Sequence, residues 1–111
     1  MFKRLFKRFE FTAYHVYDLM DEWTVTEFPL QTIETAKRFI KEEEAFRRTK
    51  HQIYNSARPF EPHRYMIEEI IGTAEWELSE DDDYEPSFFE LCEAADKWRS
   101  GDYHEVYRFK D

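Results

Sequence analysis

Apolar residues change their spacing along this chain, and each change marks an element. At the start, Phe2, Leu5, Phe6 and Phe9 fall at i, i+3, i+4 and i+7, the period of one helical face, with Lys3, Arg4, Lys7 and Arg8 on other sides. Such a segment is either a basic amphipathic anchor or an element that docks its phenylalanines on a core and neutralises nearby acid. The acidity of the rest of the chain favours docking. Phe9 to Asp18, rich in β-branched and aromatic residues, reads as a strand. Leu19 to Glu22 reads as a turn, and Trp23 to Phe28 as the second arm of a hairpin, with Trp23 and Val25 on one face.

Pro29 ends that arm, and Thr32 is placed to cap a helix reaching about Thr49. Ile33, Ala36, Phe39, Ile40 and Phe46 share one arc of its wheel. Glu34–Arg38, Glu43–Arg47 and Glu44–Arg48 are i, i+4 pairs on the exposed side, each worth roughly 0.2–0.5 kcal/mol. His51 to Tyr54 reads as a short strand, and Asn55 to Pro62 as a loop. Arg64 to Ile71 fits two periods: a helix bracketed by Pro62 and Gly72, or a strand carrying Tyr65, Ile67 and Ile71.

Glu75 to Ser79 alternates as a half-buried strand. Ser87 with Glu90 forms a capping-box pattern that opens a helix, with Phe88, Leu91, Cys92, Ala95 and Trp98 on its apolar face. Gly101 is a natural stop for that helix, and Tyr103 to Phe109 reads as the last strand.

Two patterns recur at an offset of 53 residues. Trp23-Thr24-Val25-Thr26-Glu27 matches Trp76-Glu77-Leu78-Ser79-Glu80, and His51-Gln52-Ile53-Tyr54 matches His104-Glu105-Val106-Tyr107. Internal similarity of this kind suggests two supersecondary units, neither able to close a core alone. It selects the strand for Arg64–Ile71, as the counterpart of Phe11–Asp18. The expected fold is α+β: an antiparallel sheet with two helices packed on one face, built from two pseudo-symmetric ββαβ units (10–55 and 64–108) in a single domain, 1–111.

Composition narrows the class. The chain has 111 residues, a common size for one domain, and 19% aromatics, too many for a disordered segment. Cys92 is the only cysteine, so no internal disulfide can form, which fits a reducing compartment. Neither a secretory signal nor an apolar run of about 18 residues is visible. A soluble, cytoplasmic protein without membrane attachment is the expectation.

Charge then locates the candidate chemistry. The formal net charge is −9. Between Trp76 and Trp98, nine carboxylates (Glu77, Glu80, Asp81, Asp82, Asp83, Glu85, Glu90, Glu93, Asp96) face one base, Lys97. This acidity argues against direct nucleic-acid binding, which needs cations to displace counterions, and the aromatics lack the flanking positive charge of a base-stacking platform. The histidines (His15, His51, His63, His104) are dispersed, and Asp81–Pro86 lacks the glycine turn and distal glutamate of a calcium loop, so no metal is expected. With only Gly72 and Gly101 there is no phosphate-cradling loop, and Cys92 reads as a small core residue. Neither cofactor nor enzymatic activity is expected.

The sequence therefore points to a small acidic inhibitor that occupies a basic, nucleic-acid-binding surface of a partner protein, as a nucleic-acid mimic. Size and charge alone suggest a phage or mobile-element origin. The candidate partner-binding residues are Glu77, Glu80, Asp81, Asp82, Asp83, Tyr84, Glu85, Glu90 and Glu93, with Tyr84, Phe88 or Phe89 as anchors. The alternative is a non-enzymatic adaptor or assembly protein acting through an apolar sheet face, the Phe2/Leu5/Phe6 stripe or a homodimer interface.

Overall fold

The backbone of the computed structural model is organised by two long antiparallel strands, β1 (Leu5–Asp18) and β3 (Arg64–Leu78). They pair without a break in register from Leu5 opposite Leu78 to Asp18 opposite Tyr65. A two-residue strand, β2 (Trp23–Thr24), returns along the end of β1, and β4 (Ala95–Arg108) lies along β3. The sheet order is β2-β1-β3-β4. Two helices complete the fold, α1 (Ile33–Tyr54) and α2 (Phe88–Ala94). The structure describes residues 5–78 and 85–108. The molecule measures 73 × 25 × 19 Å, so the sheet is a long ribbon with α1 against one end.

The α+β class, the antiparallel sheet and the two helices agree with the sequence reading. Their placement differs. The core under α1 joins Ala36 and Ile40 to Val16, Tyr65 and Ile67, with Tyr14 packed beside them. Phe88 of α2 instead meets Phe11 edge-on, at 6.0 Å between ring centres. Side chains alternate faces along a strand, so Phe11 lies opposite Tyr14 and Val16. The helices therefore cover opposite faces rather than one.

Local signals explain the elements that match. The Thr32 hydroxyl accepts from the Thr35 backbone N–H at 3.1 Å and starts α1. In the β1–β2 turn, Asp18 Oδ1 accepts from the backbone N–H groups of Met20 (2.9 Å) and Asp21 (3.1 Å). Thr26 then replaces a strand partner: its buried Oγ1 accepts from Val16 N–H at 3.2 Å and hydrogen-bonds His15 Nδ1 at 2.7 Å. The capping box is formed in full, with Ser87 and Glu90 satisfying each other's backbone N–H.

Several expectations are corrected. Leu5 to Phe9 continues β1 instead of forming a helix, because these residues find strand partners in Ala74–Leu78. Leu5 and Phe6 are exposed, and Arg8 sits directly across from Glu75. The strand expected at His51–Tyr54 is the last turn of α1. Arg64–Ile71 and the Glu75 segment are one strand. The second helix ends at Ala94 rather than near Trp98, because Ala95 pairs with Ala74 and Trp98 with Gly72 across the sheet. Gly101 does not stop a helix; it lies in β4 at an irregularity in register, where an added Cβ would sit 3.0 Å from the Glu69 carbonyl oxygen. On α1, Phe46 is 63% exposed while Glu44 is buried, the reverse of the arc read from the sequence. The proposed duplication finds no support in the backbone: His51–Tyr54 is helical, whereas His104–Tyr107 lies in a strand.

Candidate functional site

Two clefts and one charged segment are the candidates. The first cleft lies beside the end of α1 and the loop that follows it. It encloses about 610 Å³, lined among others by Arg47, Lys50, His51, Arg58, Phe60 and His63. Its walls are fixed: a His51 Nε2–H donates to the Arg58 carbonyl at 2.6 Å, and Phe60 lies between the edge-on His51 ring and the Arg48 guanidinium. Cations at this end of α1 also offset the partial negative charge of the helix C-terminus.

Behind that cleft lies a charge network that no sequence spacing announces, since its members come from β1, the hairpin turn, α1 and the approach to β3. Asp18 is fully buried, and His63 Nδ1–H donates to its Oδ2 at 2.7 Å. Arg47 lies 3.4 Å from Asp18 Oδ2, 3.5 Å from Asp21 Oδ2 and 3.4 Å from His63 Nε2. Burial pushes the Asp18 carboxyl upward, but hydrogen bonds from His63 and from the backbone of Asp21 and Met20 outweigh it. The net effect holds the group below its ordinary range. Burial pushes the Tyr65 phenol beside this network up to about 12.

Asp18, Asp21 and His63 lie close enough together to share an ion. The Arg47 guanidinium, in contact with both carboxylates, already supplies the positive charge there. The network ties the hairpin turn, α1 and the start of β3 together, which is a structural task.

The second cleft is on the opposite face and encloses about 560 Å³. Its floor is His15 and Ile70; its walls are Phe88 and Cys92 from α2 and Trp98 from β4, with Phe28 and Phe89 at the rim. Gly72 shapes the wall. Phe11 and Trp98 flank it on neighbouring strands and meet edge-on above it, 5.3 Å between ring centres. A Cβ on Gly72 would lie 2.6 Å from one ring and 2.8 Å from the other. Burial lowers the His15 pKa, so the imidazole at the floor is neutral near pH 7, and burial pushes the Cys92 thiol up, keeping it protonated.

The residues singled out from the sequence are distributed unevenly over this geometry. Glu80, Asp81, Asp82, Asp83 and Tyr84 lie outside the described residues. Glu77 is exposed on β3. Glu85 is exposed ahead of α2. Glu90 is committed to the capping box, so its first task is structural. Glu93 is exposed and lines the second cleft with Glu27. Phe89 is 64% exposed, whereas Phe88 is turned toward Phe11. Sequence reasoning missed the contributions of Phe28, His15 and Ile70. A Phe28-Pro29 pair after a strand is a weak signal, because the same residues fit an ordinary strand end.

No helix among the described residues is long and apolar enough to cross a membrane. Comparison with family models, with curated proteins and with solved structures finds no match to this chain.

Proposed function

We propose that this chain is a small acidic protein-binding inhibitor that occupies a basic surface of a partner, one that ordinarily holds nucleic acid. The observation that carries this reading is the concentration of charge between Trp76 and Trp98, nine carboxylates against one base. The described part of that segment supports it: Glu85 and Glu93 are exposed, and Glu93 is mounted on a helix fixed by its own capping box. Opposed charge of this kind speeds encounter and makes binding sensitive to salt.

The test is capture by the immobilised chain from a cell lysate, washed at low and then high salt. The expected result is one nucleic-acid-handling protein, released by salt and displaced by added DNA or RNA. A chain carrying Asp81→Lys, Asp82→Lys and Asp83→Lys should lose it. Capture that survives both salt and this reversal would end the acidic reading.

One observation favours a second reading, an assembly protein that pairs through strand edges. Among the described residues β4 is an edge strand of 14 residues, and the outer edge of β1 is paired only toward its Asp18 end, with β2 at Tyr17 and Asp18, with Val25 at Val16 and with Leu30 at Tyr14. Open edges are templates for pairing. A dimer mass that persists in high salt at micromolar concentration would favour this reading over the first.

A further inference from the structure

The second cleft, taken with the acidic reading on which this inference rests, indicates what kind of side chain the partner inserts. Apart from the His15 imidazole the cleft is apolar across its floor and walls, and its volume of about 560 Å³ falls within the usual range for binding sites. Its two carboxylates, Glu27 and Glu93, are both exposed. Large aromatic rings at the rim, Phe28 at 70% and Phe89 at 64% exposed, are left without cover among the described residues. Desolvated aromatic pockets surrounded by polar groups are where a few residues carry most of the energy of an interface.

The site is also rigid where it must be. Its floor stands on the unbroken β1–β3 register from Phe11–Gly72 to His15–Glu68. The rings of Phe11 and Trp98 lock one wall over Gly72. The floor imidazole of His15 is neutral near pH 7 and hydrogen-bonded to Thr26, so it does not repel a cationic segment.

We propose that the cleft between α2 and the Glu27–Pro29 bend receives one large apolar side chain projecting from a lysine- and arginine-rich segment of the partner protein. The apolar side chain fills the space between Ile70, Cys92 and Trp98. The flanking cations lie against Glu27 and Glu93. An acidic or purely polar segment is rejected, the first by the rim carboxylates and the second by the dry walls.

The test is a titration of the full isotope-labelled chain, followed by NMR, with two acetylated and amidated peptides, KKRFRKK and KKRSRKK. The phenylalanine peptide should bind about tenfold or more tightly than the serine peptide, from the area its ring buries. It should shift the resonances of Phe28, Ile70, Phe89, Cys92 and the Trp98 indole. Phe89→Ser and Phe28→Ser, both at exposed positions, should each reduce that preference without altering the rest of the spectrum. Equal, salt-sensitive binding of the two peptides would overturn the cleft inference while leaving the acidic reading in place. Failure of both peptides to bind at low salt would overturn both.

Discussion

The two faces of the sheet solve opposite problems with the same few strands. Under α1, the sheet is closed: Val16, Ile67 and Tyr65 are covered by Ala36 and Ile40, and even the buried charge of Asp18 has its partners. Across the sheet, α2 is only seven residues long and leaves an aromatic recess open beside it. The α1 face stabilises the chain, so its residues are constrained by packing. The α2 face has apolar surface that folding does not use, and a contiguous patch of such surface ordinarily marks an interaction site.

Mutations can sharpen that contrast. Ile40→Ala should have the largest effect, about 2–5 kcal/mol of lost stability, because it opens a cavity in the closed face. Urea unfolding should show a lower midpoint at unchanged slope. Asp18→Asn should cost roughly 1.5–3 kcal/mol, since it weakens hydrogen bonds from His63, Arg47 and two backbone N–H groups to a buried carboxylate.

The same carboxyl gives a pH dependence. Its folded pKa lies below the unfolded value, so its contribution is present above about pH 4 and is lost as pH falls further. Unfolding midpoints measured from pH 7 to pH 2 should decline less steeply below about pH 4 in Asp18→Asn than in the parent.

Gly72→Ala should come next, at about 1–3 kcal/mol, because the new methyl group meets two ring walls that must separate. Thermal unfolding followed by near-ultraviolet dichroism would report both the loss and the altered Trp98 environment. Ser87→Ala, which removes the hydroxyl that accepts from Glu90 N–H at the start of α2, should cost about 1 kcal/mol. It would also loosen the wall of the recess.

What the sequence made legible follows the range of the interactions. The Thr32 cap, the Ser87–Glu90 box and the turn at Leu19–Glu22 are decided by neighbours within a few residues, and they are found where the pattern put them. Leu5–Phe9 and Ala95–Trp98 carry helical spacing yet form strands, because distant partners on β3 supply the backbone hydrogen bonds. Sheet pairing overrides local periodicity in both places. Glu43–Arg47 and Glu44–Arg48 fit a solvent-facing i, i+4 pattern equally well; only the arrival of Asp18 from β1 turns Arg47 inward. The candidate site divides in the same way. Charge concentration is a property of composition and is visible at once, whereas the recess joins His15, Phe28, Ile70 and Trp98 from four separate stretches.

The measurement that tests the contrast most directly is a paired comparison of Phe89→Ser and Ile40→Ala for thermal stability and for capture of the basic partner. Phe89→Ser should leave stability within about 0.5 kcal/mol of the parent and weaken capture, while Ile40→Ala should lower stability strongly. A Phe89→Ser chain that unfolds as readily as Ile40→Ala, or that captures its partner undiminished, would contradict the assignment of the α2 face to binding.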